Sequence, residues 1–546
     1  MPRGKTKPGK EYRSFCTSCG WRGDSAALTF DFEEYYKKKI ETIKFSGKID
    51  SSKIQSTIDF IKKHLNELDR FISVETLIND GHIGNLHDNN DFIEGDIEFG
   101  QTLIDKWSEK IASGLKKDGK LSDDEVGQSL KLFKYCMGQS DNIILTKSKV
   151  NPHVINTINI RLSSNNSVEL SRRYCPECHR QVSSFSGLYK EIVISLFGGP
   201  RASKTTTLLS TVYSLRQPEI KEQGFSAILE PDNELRKAWN QIFIQLNAYQ
   251  NNDRPDPTKV DKDAAIKFSF LLTLGDERSV LISFVDIAGE FIVAAAQRVD
   301  DLTGELFDRY RRIYNNTDYL WICVDKKILE LTDRLPPNID DKTKKEFQRY
   351  GYFDETETVG TAKNNNTNIA DFDKSAPLPS TEMILALTHV GTWLRNIDGA
   401  AVIWGKIDLD GKKQSPFFFD DMAYYEKNSI ITGKNGSDPI LLPERMLQIE
   451  RFVKNRMNDI NKRVAENVKK LFKNKIGVFA TSNYGHAPAD NGSQDADRTI
   501  APLHALHPIV WTLAMAGVLE YQKENHFGGV KLLTAKVDVD KKNFCV

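Results

Sequence analysis

The chain has no net charge: 75 Lys plus Arg balance 75 Asp plus Glu over 546 residues. That balance excludes a protein held on nucleic acid or anionic membrane by bulk charge, so a charged partner must be met by a local patch. Long hydrophobic runs are also lacking. The longest, Ile509 to Val518 and interrupted by Thr512, falls far short of the roughly 20 residues that span a bilayer. The basic start MPRGKTKPGKEYRSF has neither the apolar core nor the small-residue cleavage site of a secretory signal, so a cytoplasmic location is expected. Seven cysteines, an odd number, argue against a disulfide framework. No Ser-His-Asp set, H-E-x-x-H helix or paired carboxylate stands in a supporting context, which leaves protease and glycosidase chemistry without a basis. What remains is a globular composition, 39% hydrophobic and 27% charged, long enough for three or four domains of about 150 residues.

Four cysteines form two C-x-x-C pairs, Cys16 and Cys19 in FCTSCGW and Cys175 and Cys178 in RYCPECHR. Each pair sits among aromatic, Arg and small residues, as in zinc-ribbon knuckles, where a tight turn presents two thiolates to one metal. Two knuckles complete one tetrahedral zinc site, but Cys175 follows Cys19 by 156 positions. Loop closure grows only logarithmically with length, so a folded insertion with adjacent ends is tolerated. The expected arrangement is a ribbon in two halves, 1–23 and 150–189, around an inserted helical domain at 24–149. Ile54, Ile58, Ile61, Leu65 and Leu68, and then Leu103, Trp107, Ile111 and Leu115, carry the three-and-four spacing of helices. His82 and His87 have no ligand partner at useful spacing.

Past the second knuckle the character changes. The apolar run Ile192 to Phe197 reads as a buried strand, GGPRASKTT follows at once, and TTTLLSTVYSL opens a helix. From Gly198 the spacing is G-x-x-x-x-S-K-T, the Walker A pattern with Ser203 in place of the second glycine. Strand, loop and helix in that order form a phosphate cradle, in which backbone N–H groups and the helix N-terminus meet the anion. Gly198, Gly199, Arg201, Ser203, Lys204, Thr205 and Thr206 are the candidate nucleotide contacts. Lys204 reaches the β and γ phosphates and the Thr205 hydroxyl meets magnesium. Ser203 counts against the pattern, since glycine there lets the backbone approach phosphate without steric cost. Further on, the apolar strand SVLISFV ends in DIAGE, with Asp286 placed to hold magnesium and Gly289 to offer an N–H to the γ phosphate.

GGPRASKT, DIAGE, DYLWICVD, MILALTHVG and GVFATSNYG resemble, in order, the strand-end motifs of a P-loop GTPase of the TRAFAC class. More narrowly, the chain resembles the divergent double-GTPases and TRAFAC-like GTPases of bacterial conflict systems, over roughly Lys190 to Gln522. The resemblance implies an α/β fold, a Ras-like P-loop domain at 190–546 with a mainly parallel sheet and insertions near 335–380 and 404–439. It sets Glu290 where such enzymes position the attacking water, beside Lys204 and Asp286 as catalytic candidates. It sets Thr258 as a switch threonine completing the magnesium shell. Thr388, with His389, Val390 and Gly391, falls where the base-reading motif is expected, without that motif's lysine and aspartate. Thr481, Ser482 and Asn483 match the serine-containing loop that lines the base.

The expected function is therefore a nucleotide-hydrolysing switch that binds GTP and Mg2+, with ATP left open, a structural Zn2+ and no membrane. It signals to a protein partner through the ribbon, the insertion or the switch segments. The rival is an interaction protein in which the ribbon recognises and the P-loop domain has degenerated. Nucleic acid as the ribbon's ligand is a third reading, unsupported by net charge.

Overall fold

The computed structural model describes residues 13–41, 58–162 except 60, 66, 67 and 120, 166–199, 202–230, 266–287 except 276 and 277, 305–325, 380–405 except 395 and 396, 466–484 except 473 and 474, and 502–521 except 503, with positions 244, 246–247, 249, 289, 292, 431–432, 440–441 and 453. The chain divides into two compact units, Met1–Glu191 and Ile192–Val546.

The first unit opens with an antiparallel hairpin, β1 (Arg13–Phe15) and β2 (Arg22–Asp24). β3 (Thr29–Asp31) leads into α1 (Glu33–Glu41), and Asp31 Oδ1 accepts from the Glu33 amide at 3.0 Å. β4 (Phe71–Ser73) passes directly into α2 (Val74–Asn79), where Ser73 Oγ caps the helix by accepting from the Thr76 amide at 3.0 Å. Then come β5 (Ile83–Asp88), β6 (Phe92–Ile97), α3 (Gln101–Asp118) and α4 (Asp123–Met137). A capping box of Ser122 and Glu125 starts α4. β7 (Asp141–Lys147), β8 (Ile155–Leu162), β9 (Asn166–Leu170) and β10 (Arg173–Tyr174) complete the unit.

The insert is not a helical bundle. β5 to β9 form a five-stranded antiparallel meander in sequence order, and the helices share one core with it. The expected helical stripe exists: Trp107, Ile111 and Leu115 of α3 are buried, with Trp107 against Tyr36 at 5.5 Å and Phe99 at 5.0 Å. The strands carry their own period of two. In β8, Ile158, Ile160 and Leu162 are buried while Asn159 and Arg161 are not. Because β8 and β9 belong to this sheet, the insert runs through Leu170 and not to 149. The returning half of the ribbon starts at β10, which pairs with β3, and β3 with β4.

A buried ion pair fastens α1 to the sheet. Lys39 Nζ donates to Asp141 Oδ2 at 2.6 Å, to Gln139 O at 2.5 Å and to Tyr35 Oη at 3.0 Å, using all three ammonium protons. Tyr35 Oη donates to the same carboxylate oxygen at 2.8 Å. Burial lowers the Lys39 pKa, opposed by the attraction of Asp141.

In the second unit, β11 (Lys190–Phe197) enters from the first and is followed by α5 (Lys204–Leu215), α6 (Pro218–Glu222), β12 (Phe225–Leu229), β13 (Ile266–Leu274) and β14 (Arg278–Asp286). α7 (Glu305–Asn315), β15 (Tyr319–Asp325), α8 (Ser380–Gly391) and β16 (Gly399–Gly405) come next. β17 (Ile431–Thr432), β18 (Ile440–Leu441), β19 (Ile476–Ala480), α9 (His507–Met515) and β20 (Glu520–Tyr521) end the described chain. The central sheet has seven strands in the order β12-β13-β14-β11-β15-β16-β19. β11, β15, β16 and β19 run parallel, and β12, β13 and β14 pair antiparallel at one side. β11, β14, β16 and β19 are almost wholly buried apolar runs, as strands covered on both faces require. The fold is α/β with a P-loop GTPase-type sheet. Among the described residues no helix is long and apolar enough to cross a membrane.

Replacing Lys39 by Met leaves Asp141 charged and buried, and is expected to cost about 3–5 kcal/mol in urea unfolding. The Lys39→Met/Asp141→Leu pair is expected to recover most of that loss.

Candidate nucleotide-binding site and metal centre

The phosphate loop leaves the buried end of β11 at Gly198. A Cβ there would stand 2.7 Å from the Cys323 carbonyl of β15, so only glycine lets the loop pass this close to the neighbouring strand. Lys204, the first residue of α5 and only 7% exposed, folds its ammonium back over the loop and donates to the carbonyls of Gly198 at 2.9 Å and Gly199 at 3.0 Å. Ser203 adopts φ +60°, ψ 22°, the left-handed conformation that the missing glycine of the Walker pattern supplies without strain. Serine thus takes the glycine geometry at this position, at an energetic cost. Its carbonyl accepts from the Thr207 amide at 2.8 Å and from Thr206 Oγ1 at 2.9 Å.

Thr205 Oγ1 donates to Asp286 Oδ2 at 2.5 Å. Helix start and strand end therefore meet where sequence reasoning put the two magnesium candidates, and Asp286 is 1% exposed. A hydroxyl and a carboxylate side by side at the mouth of a phosphate loop form a hard-oxygen donor set suited to Mg2+, which keeps most of its ligands as water and phosphate. Gly289 is buried just beyond. Arg201, Thr258 and Glu290 lie outside the described residues.

On the base side the structure corrects one assignment. MILALTHVG is not a strand: it forms α8, with Met383, Ala386, Leu387 and Val390 buried at helical spacing. Thr388 is exposed on that helix and its hydroxyl bonds the Ile384 carbonyl, so it does not mark a strand end. The strand that follows β15 in the sheet is β16, ending at Gly405. A Cβ on Gly405 would lie 3.9 Å from Ser203 Cβ, which puts this strand end beside the phosphate loop. The sequence from there reads Gly405, Lys406, Ile407, Asp408, a lysine and an aspartate two positions apart. Lys406 and Asp408 lie outside the described residues. The signal was an ordinary one, an apolar run GAAVIWG closing on GKID, hidden by the equally apolar segment ahead of it.

The neighbouring strand, β19, delivers Thr481, Ser482 and Asn483, all buried. The Thr481 amide continues the ladder by donating to Trp404 O at 2.9 Å, tying this loop to the end of β16.

In the first unit the four knuckle cysteines converge, their sulfurs all within 4.8 Å of one another. Cys16 Sγ and Cys178 Sγ are 3.6 Å apart, as are Cys19 Sγ and Cys175 Sγ. Tetrahedral zinc with bonds of about 2.3 Å sets sulfurs about 3.8 Å apart, so the cluster fits the metal. The two knuckles are built alike. Cys16 N donates to Trp21 O at 2.8 Å and Gly20 N to Cys16 O at 2.9 Å; Cys175 N donates to Arg180 O at 2.9 Å and His179 N to Cys175 O at 3.0 Å. Gly20 takes φ +78° and His179 takes φ +54° at the equivalent position, the imidazole stacking on Phe71 at 4.4 Å. Hydrogen bonding with Cys175 raises the Cys16 pKa, while hydrogen bonding with Cys16 lowers that of Cys178.

Residues 192–348 match the family model Double-GTPase 2. The Double-GTPase 2 match begins inside β11 and takes in the phosphate loop, Lys204, Thr205, Asp286 and β15. It supports a GTPase-like nucleotide-binding protein and a divergent double-GTPase. α8, β16 and β19 lie beyond it, as does the first unit. No curated protein matches the chain.

Zinc analysis of the purified protein is expected to give one ion per chain, lost in Cys175→Ser. Ser203→Gly is expected to raise unfolding stability by about 1 kcal/mol through relief of the left-handed strain, with nucleotide binding retained in a titration.

Proposed function

We propose that the chain is a GTP-directed molecular switch that hydrolyses the γ phosphate and signals its nucleotide state to a protein partner. The observation that carries this reading is the Thr205–Asp286 hydrogen bond beside a lysine-closed phosphate loop. Loop amides and the start of α5 receive the phosphate oxygens. The Lys204 ammonium exchanges its two carbonyl partners for β and γ oxygens. Bound Mg2+ would neutralise phosphate charge, with the Thr205 hydroxyl among its ligands and Asp286 orienting its water. Gly289, three residues past Asp286, carries the contact by which loss of the γ phosphate releases the following segment. Glu290 is the proposed water-positioning residue, and a carboxylate in that role suits slow turnover awaiting an arginine from the partner.

Guanine is favoured over adenine by the GKID sequence at the end of β16. In the base-reading motif of such GTPases an aspartate carboxylate accepts the guanine ring-edge N–H groups, which adenine does not offer, and Asp408, two positions after Lys406, is the proposed residue for that role. The ribbon, held together by zinc, and the α+β insert supply surfaces for the partner. The resemblance to GTPases of bacterial conflict systems extends the proposal to a cytoplasmic role in anti-phage defence.

The deciding measurement is identification of nucleotide released from the purified protein, followed by titration and turnover with GTP and ATP. Lys204→Ala is expected to abolish turnover and to weaken GTP binding at least tenfold. Asp408→Ala is expected to lower GTP affinity more than tenfold, with the affinity for inorganic tripolyphosphate unchanged. A protein that binds neither nucleotide would falsify the switch reading and leave the interaction module.

A further inference from the structure

Asn483 belongs to the loop after β19, yet its side chain is spent on α5. Its amide nitrogen donates to Thr206 Oγ1 at 3.0 Å, with Thr207 Oγ1 at 3.4 Å, and its amide oxygen accepts from Ser210 Oγ at 3.0 Å. Thr206 Oγ1 in turn donates to the carbonyl of Ser203, the left-handed residue of the phosphate loop. One hydrogen-bond relay therefore runs from the β19 loop through Thr206 to the residue before Lys204. On the other side, the Tyr249 hydroxyl donates to the Asn483 carbonyl, and its ring lies between Tyr213 of α5 at 5.7 Å and Tyr484 at 5.2 Å. Asn483 is 5% exposed, so this bonding is sheltered from competing water.

We infer that Asn483 is a positioning residue: through Thr206 it fixes the base-side loop at the height above α5 that lets one nucleotide touch both the base loop and the phosphate loop. This deepens the nucleotide-switch reading and rests on it. The direction of control follows from what else holds each part. The phosphate loop is anchored independently by Lys204 on the Gly198 and Gly199 carbonyls and by the close pass of Gly198 against β15. The loop after β19 has the Thr481 amide on Trp404 at its start and Tyr249 on the Asn483 carbonyl, and the Asn483 side chain is what bonds it to Thr206 and Ser210 of α5. Removing the relay is thus expected to displace the base loop and to leave the phosphate cradle in place.

The test uses the full chain, titrated with GTP and with inorganic tripolyphosphate, a ligand that has no base. Asn483→Ala is expected to lower GTP affinity about tenfold, the equivalent of one well-made buried hydrogen bond, with tripolyphosphate affinity held within about twofold. Ser210→Ala removes the bond that the same side-chain amide accepts from α5 and carries the test if Asn483→Ala does not fold; the same selective loss is expected. The double variant is expected to lose no more than either single one, because both remove a single path. Unchanged GTP affinity, an equal loss for both ligands, or additive losses in the double variant overturn the inference. A wild-type protein that binds neither ligand overturns it together with the nucleotide reading, whereas wild-type binding with unselective variants overturns the positioning role alone.

Discussion

A carboxylate at the buried end of an apolar strand needs a hydrogen-bond donor, and Asp286 has the Thr205 hydroxyl at 2.5 Å. The rest of the second unit is arranged around that contact. It joins the start of α5 to the end of β14, so the phosphate loop between β11 and α5 is pinned across the sheet. Beside that contact Lys204 donates to the Gly198 and Gly199 carbonyls, and Gly198 passes the β15 carbonyl with no room for a side chain. Ser203 accepts a left-handed backbone because the surrounding bonds overdetermine it. The order of strands then brings the ends of β16 and β19 to the same edge as the loop, which is where ligands bind in open parallel sheets.

The first unit answers a different constraint. Its two knuckles are too small to bury a core of their own, and what closes them is a four-sulfur cluster contributed from positions 156 apart. The intervening chain tolerates that separation because it has its own core, in which Trp107, Phe99, Tyr36 and the inward residues of β5 to β9 pack together. Lys39 and Asp141 add little net stability to that packing, since an ion pair of this burial roughly balances its own desolvation. The two knuckles share one backbone turn, with Gly20 and His179 at the equivalent left-handed position and the His179 ring stacked on Phe71.

Legibility followed the range of the interactions. The knuckle cysteines, the phosphate loop and DIAG were readable because each is a few contiguous residues whose chemistry dictates the local backbone. The α3 stripe was readable for the same reason, since a helix is built from contacts three and four apart. The meander was missed although β8 alternates cleanly, because a single alternating strand has no meaning until its partners are known. MILALTHVG and GAAVIWG are both short apolar runs, and periodicity does not separate a buried strand from a buried helix at that length. The first is the helix α8 and the second the strand β16, so Thr388 does not stand at a strand end.

By itself, then, the sequence determined the chemistry available: four thiols in two C-x-x-C turns, a lysine and threonine at a helix start, an acid at a strand end, a serine where glycine is usual. The tertiary structure alone decided which of these meet. It brought the two knuckles onto one centre, set Asp286 on Thr205, showed that Ser203 takes the glycine conformation, and bonded the side chain of Asn483, a residue of the loop after β19, to Thr206 and Ser210 of α5. The reason is that residue type fixes what a group donates, accepts or ligates, whereas strand order and helix placement, set by burial of distant apolar faces, fix who its partner is.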